Sequence, residues 1–259
     1  MKKAFYFLLS IFLLLSSLLT VSCSNYDYAR QGDPILIAHA GGAIDGNSYT
    51  NSLDAMNKSY EDGFRYFELD FMTTSDDKIV AIHDWDRWFK DNNKKKIPTH
   101  EEFMNSKIKG KYSPLDIATL NVWFKEHEDA YLITDKINDP KRFLTEFDYP
   151  KRTYMELFSK QAVIEANEIG FGNTLLSLHA FTYGDKLIDF MLENNVKYIT
   201  TSYNVSPRKK KFIKKAKSKD ISTFFFFDAN KPVTSEKMND KYNYIDGFYL
   251  EEFSQYKPQ

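Results

Sequence analysis

Between Ile35 and Asp84 the chain carries two histidines and a spaced pair of carboxylates, the side-chain types that acid–base chemistry needs. His39 ends the apolar run Ile35-Leu36-Ile37-Ala38 and is followed at once by Gly41-Gly42. Glu68 and Asp70 lie two apart in Phe67-Glu68-Leu69-Asp70-Phe71, and His83-Asp84 closes the run Ile79-Val80-Ala81-Ile82. A further acid, Asp135, ends another apolar run and is followed by Lys136. Carboxylates are hard oxygen ligands, so Glu68, Asp70 and Asp135 suit Mg²⁺ or Ca²⁺. Two histidines beside such a cation can act as general base and general acid on a phosphodiester. Each feature alone has a plainer reading, since a Glu-x-Asp pair is commonly a surface feature and a strand-end histidine commonly structural. Their joint placement at strand ends gives them weight.

The elements that must hold these residues alternate between strands and helices, the signature of a parallel sheet wrapped in helices. The pattern predicts parallel strands beginning near residues 35, 64, 130, 153, 174, 197, 221 and 245. That number of strand–helix units predicts a TIM barrel, with an open doubly wound sheet as runner-up. In the second strand, Tyr66, Glu68 and Asp70 share one face while Phe67, Leu69 and Phe71 share the other. Acids inside and apolar residues outside suit a barrel covered by helices. The short link Ser75–Lys78 predicts an antiparallel return as a hairpin; a two-residue turn would set Asp70 opposite His83. Asn51 is a candidate helix cap, with Gly63 ending that helix. Residues 85–112 read as a long loop or small insertion, after which Ser113-Pro114 predicts another helix start. Glu156 and His179 fall at or just after strand ends and are candidates to line the pocket. Trp85, next to the site, either stacks on a substrate or covers the barrel mouth. His100 and His127 read as solvated, and the Lys-rich run 208–219 as the exposed face of a helix.

Several function classes are set aside by composition. Basic and acidic residues nearly cancel, at 35 against 36, which argues against a nucleic-acid partner. The one cysteine, Cys23, allows no intrachain disulfide. It ends a leader in which Lys2 and Lys3 precede an apolar run to Val21, predicting an export signal over residues 1–23. The run Thr20-Val21-Ser22-Cys23 resembles a lipoprotein cleavage site, although Thr20 stands where an aliphatic residue is usual. The expectation is therefore an exported lipoprotein anchored to a membrane through lipidated Cys23, facing the periplasm or cell exterior. A plain signal cut elsewhere and an uncleaved helix are the other readings. Residues 24–33 read as a polar tether, and 34–259 as the barrel.

In order and spacing, His39-Ala40-Gly41-Gly42, Tyr49-Thr50-Asn51-Ser52, Phe67-Glu68-Leu69-Asp70 and Ile82-His83-Asp84 resemble the glycerophosphodiester phosphodiesterase family, within the PI-phospholipase-C-like phosphodiesterases. Ile97-Pro98-Thr99 with Glu102-Phe103, and Asp246-Gly247-Phe248-Tyr249, extend the resemblance over nearly the whole body of the chain. It implies a TIM barrel with a hairpin after the second strand and His39 and His83 as the acid–base pair. It also implies a divalent cation on Glu68, Asp70 and Asp135, and a small phosphodiester or lipid headgroup as substrate. Asn51 and Lys136 carry over as substrate-side residues. Three departures stand out. The arginine usual after the first histidine is Ala40, only Asn51 survives of a Pro-Glu-Asn stretch, and Asp135 and Lys136 are adjacent rather than one residue apart. The expected reaction is hydrolysis of a glycerophosphodiester to an alcohol and glycerol phosphate. The alternatives are phospholipase-like transfer giving a cyclic phosphate, and a non-catalytic binding lipoprotein.

Overall fold

Inward-facing positions of successive strands, taken at every second residue, trace the centre of a closed barrel. In the computed structural model, which describes residues 34–227 and 234–257, eight parallel strands close on themselves. They are β1 (Ile35–Ala38), β2 (Tyr66–Thr73), β5 (Tyr131–Asp135) and β6 (Thr153–Leu157). The other four are β7 (Thr174–Ser177), β8 (Tyr198–Ser202), β9 (Ser222–Phe226) and β10 (Gly247–Leu250). Pairing of β1 with both β2 and β10 shuts the barrel and rules out the open doubly wound sheet. The leader, Cys23 and the tether lie outside the described residues.

Ile37, Ile133, Leu175, Phe224 and Tyr249 fill the barrel, with Tyr66, Tyr154 and Tyr198 packed against them. Phe67, Leu69, Leu132, Met155 and Phe248 point the other way, into the layer beneath the helices. Burying each such side chain is worth about 1.5–3 kcal/mol. Two glycines are required by close packing. A Cβ on Gly247 would come within 2.7 Å of the Phe224 ring at the closing seam. Gly42, at φ +90°, would place one 2.1 Å from Ser59 Oγ, which donates to the Gly41 carbonyl.

The outer helices are α1 (Leu53–Asp62), α4 (Ile117–Glu126), α5 (Pro140–Glu146) and α6 (Lys160–Glu168), then α7 (Asp185–Glu193), α8 (Pro207–Lys217) and α9 (Ser235–Lys241). Helix α1 is capped by Ser52, whose side chain accepts from the Ala55 N–H, and Gly63 ends it in the left-handed conformation. Asn51 is therefore not the cap. Ser113-Pro114 does not open a helix either. Leu115–Asp116 forms the short strand β4, and the Asp116 carboxylate caps α4 two residues later. Helix α5, opened by Asp139-Pro140, is an element the sequence pattern did not single out. The basic run on α8 is exposed while Phe212, Ile213 and Ala216 pack inward, as expected for a helix face.

After β2 the chain returns through β3 (Ile79–Ala81), which pairs antiparallel with β2 and with β4. Helices α2 (Trp85–Asn92) and α3 (His100–Met104) complete an insertion with its own core of Val80, Ile82, Trp85, Trp88, Phe103, Ile108 and Tyr112. Residues 85–112 are thus an ordered cap rather than a loop. His100 is part-exposed, and its Nε2 lies 2.8 Å from Asp116 Oδ2. His127 stacks on Trp123 with ring centroids 3.9 Å apart.

Candidate active site

The alternation that fills the lower barrel with tyrosines and aliphatics changes character towards the C-terminal strand ends. There the inward positions are His39, Glu68, Asp70, Asp135, Glu156 and Glu251. In-register pairing of β2 with β5 sets Asp70 beside Asp135 and Glu68 beside Ile133. Carboxylate oxygens of Glu68, Asp70 and Asp135 all lie within 4.8 Å of one another.

Each acid is held by its neighbours. The Ala40 N–H donates to Glu68 Oε2 at 2.7 Å, which the left-handed Ala40 backbone (φ 49°) makes possible. Asn51 is fully buried and clasps Asp70 twice. Its Nδ2 donates to Asp70 Oδ2 and its Oδ1 accepts from the Asp70 N–H, both at 2.9 Å. Lys136 follows Asp135 with φ 65°, so β5 ends at the acid and the adjacent lysine turns back to the site. Its Nζ stands 3.7 Å from Asp70 Oδ1 and donates to the His83 carbonyl. Burial and mutual repulsion raise the acids. Burial, then Asp70 and Asp135, push Glu68 well above the usual carboxylate range. Burial and Asp70 bring Asp135 to about 6. Burial and Asp135 bring Glu156 to about 8, even though Thr200 Oγ1 donates to it. A cluster of hard oxygen donors that takes up protons for want of positive charge is chemically suited to a divalent cation.

The two histidines share one arrangement. His39 Nδ1 lies 2.8 Å from Glu251 Oε1, and His83 Nδ1 lies 2.7 Å from Asp84 Oδ2. An ionised carboxylate only accepts, so each ring carries its proton on Nδ1 and leaves Nε2 to exchange protons with a substrate. His39 Nε2 stands 4.0 Å from Glu68 Oε2. The Tyr49 ring fits edge-on between the histidines, with centroids 4.8 Å from His39 and 5.1 Å from His83.

His83 reaches this position by a different route from the one the hairpin pattern predicts. The turn spans Ser75–Asp77, with Thr74 N–H bonded to the Lys78 carbonyl and Asp77 left-handed at φ 62°. Phe71 therefore pairs with Ala81, and Ile82 rather than His83 lies opposite Asp70. Continued alternation would aim His83 away from the acids. The strand stops at Ala81, however, and the chain turns into α2, bringing His83 beside Tyr49.

Trp85 does not stack at an open mouth. It is 7% exposed and packs on Trp88 and Phe103 in the insertion core. His179 sits on the far side of the rim, where its Nε2 accepts from the Ser202 N–H at 3.3 Å. Glu251 was not singled out by the sequence. It sits one residue beyond β10 in Leu250-Glu251-Glu252, where alternation along Phe248–Glu251 already aims it inward with Tyr249. Its Oε2 is buried without a partner among the described residues. Replacing Glu251 with glutamine removes the charge that stabilises an imidazolium at His39. The expected result is a fall in kcat of about 10- to 100-fold with KM little changed, read by steady-state kinetics.

The strands close into a (β/α)8 barrel with two histidines and a carboxylate cluster at its C-terminal rim, the place where barrels of this class carry an active site. Residues 42–146 match the profile of the Glycerophosphoryl diester phosphodiesterase family. The fold is shared with a putative glycerophosphodiester phosphodiesterase from Galdieria sulphuraria. The TM-score is 0.72 at 13% identity over 86% of this chain and 96% of that one. The Thermotoga maritima glycerophosphodiester phosphodiesterase has a TM-score of 0.65 at 18% identity, over 85% and 95% of the two chains. An Oleispira antarctica phosphodiesterase, solved with the product sn-glycerol-3-phosphate, scores 0.63 at 12% identity, over 84% and 93%. No curated protein matches the sequence.

Proposed function

We propose that the protein hydrolyses a glycerophosphodiester to an alcohol and glycerol phosphate, with a divalent cation held by Glu68, Asp70 and Asp135. The observation that carries this reading is the pair of histidines, each with Nδ1 on a carboxylate, flanking one ring at the edge of the acidic cluster. Mg²⁺ or Ca²⁺ bound there would neutralise phosphoryl charge and polarise the ester. One imidazole Nε2 takes a proton from the attacking water as the new P–O bond forms and the bond to the leaving alcohol breaks. The other imidazolium gives its proton to the departing alcohol oxygen. Glu251 and Asp84 hold the rings through Nδ1 and stabilise each as it becomes charged. Asn51 keeps Asp70 in place, and Lys136 offsets part of the local negative charge.

The deciding experiment is hydrolysis of sn-glycero-3-phosphocholine and related diesters with Mg²⁺ or Ca²⁺, followed by phosphorus NMR. A phosphate monoester product supports the reading. A cyclic phosphate would make the enzyme a transferase, and inert wild-type protein would exclude catalysis on this substrate class.

The leader supports a companion proposal, that the protein is exported and held on a membrane by lipid on Cys23. Among the described residues no helix is long and apolar enough to cross a membrane. Cys23→Ser should move the protein from the membrane fraction to the soluble one. Unchanged membrane association would overturn the acyl anchor.

A further inference from the structure

We propose that Arg87, carried to the barrel mouth by helix α2, is the cation that grips the phosphate of the substrate. The proposal deepens the phosphodiesterase reading and rests on it. It starts from charge. Glu68, Asp70, Asp84, Asp135 and Glu251 crowd a rim that must admit an anion. Lys136 is committed, with its Nζ on the His83 carbonyl and near Asp70. The residue after His39 offers no charge, because Ala40 is buried and its N–H is used on Glu68.

Arg87 stands in the first turn of α2, whose cap is Asp84. Its backbone N–H donates to Asp84 Oδ1 at 2.7 Å, and its Nε pairs with Asp84 Oδ2 at 3.0 Å. The guanidinium carbon lies 4.9 Å from the centre of the Tyr49 ring, the ring that separates the two histidines. The cation is thus one aromatic ring away from both proton-transfer groups. Among the described residues its two Nη atoms have no partner, and the side chain is 49% exposed. A planar fork held by Nε, with both Nη groups free, matches two phosphate oxygens at once. Tyr49 backs the guanidinium by cation–π contact and keeps it at the mouth.

The test compares wild type with Arg87→Gln and Arg87→Lys on sn-glycero-3-phosphocholine, and titrates sn-glycerol 3-phosphate calorimetrically in the presence of Mg²⁺ or Ca²⁺. Arg87→Gln should raise KM at least about tenfold with kcat within about threefold, and weaken sn-glycerol 3-phosphate binding in parallel. Arg87→Lys should recover part of the loss, since it keeps the charge without the fork. If Arg87 served only to hold Asp84, kcat would fall and the pH profile would move while KM and product affinity stayed put; that result overturns the proposal. Should wild type turn nothing over, the hydrolase reading fails, and the titration still decides the clamp. Weaker binding to Arg87→Gln than to wild type upholds it. Equal binding, or none to wild type, overturns it.

Discussion

His39→Ala is expected to lower kcat on a glycerophosphodiester by about a thousandfold, and His83→Ala by a similar factor, in line with the 10²- to 10⁴-fold range of general acid–base groups. The expectation follows from the matched geometry of the rings. Each histidine has Nδ1 held on a carboxylate and its ring packed edge-on against Tyr49. In the proposed mechanism the two act as one proton-transfer unit, so the double variant should lose little more than either single one. The fold should survive at His83, which is only part-buried. At His39 an alanine leaves the buried Glu251 carboxylate without its partner, so His39→Asn serves as the second variant. Circular dichroism and thermal melts separate loss of chemistry from loss of fold. A folded His83→Ala enzyme retaining a tenth of wild-type kcat would remove His83 from the mechanism.

The second large effect concerns cations and protons competing for the acidic cluster. Glu68, Asp135 (about 6) and Glu156 (about 8) all lie above their ordinary values in the folded protein. For an acid raised on folding, the folded state holds the proton where the unfolded chain has already released it. Stability of the cation-free protein should therefore fall as pH rises from about 4.5, the ordinary carboxylate value, towards about 8, and level off above. A divalent cation displaces those protons and replaces their charge. Adding Mg²⁺ or Ca²⁺ at about a hundred times Kd should stabilise the fold by about 2.7 kcal/mol, an increase in Tm of roughly 5–11 °C. The shift should be large at pH 8, small at pH 5, and absent in Asp70→Asn. Melting curves across pH, with and without chelator, measure it. A cation-independent Tm at pH 8 would remove the metal from the proposal, and chelation should abolish hydrolysis in parallel.

Much of the barrel is visible in the sequence because each strand obeys a period of two under a helical cover. Tyr66-Phe67-Glu68-Leu69-Asp70 states both its faces outright, and the Lys-rich run 208–219 is the exposed face of a helix, where the pattern puts it. Three features were hidden for different physical reasons. The hairpin register turns on one left-handed residue, Asp77, and a three-residue turn looks much like a two-residue one in composition. Asn51 has the chemistry of a helix cap, and only the fold reveals that its amide is spent on Asp70 instead. Glu251 lies in an unremarkable acidic pair, and its partner is 212 residues away. Proximity of that kind is a property of closure, not of local pattern. Trp85 illustrates the converse: an aromatic beside a catalytic histidine invites a stacking role, yet the insertion needed it for its own core.

Closure of the barrel between its first and last strands has a consequence for how the enzyme comes into being. His39 follows β1, which pairs with β2 on one side and with β10 on the other. The carboxylate that orients its ring stands 212 residues further along the chain, one residue past β10. Until the Gly247 seam zips onto Ile35, the imidazole has no fixed tautomer and the carboxylate cluster has no lid from the far side. A nascent or prematurely terminated chain would carry nearly all the catalytic side chains and still be idle. Orientation of the histidine is thus tied to closure of the barrel, and loosening the seam between β1 and β10 would disorient the ring without altering any residue of the site.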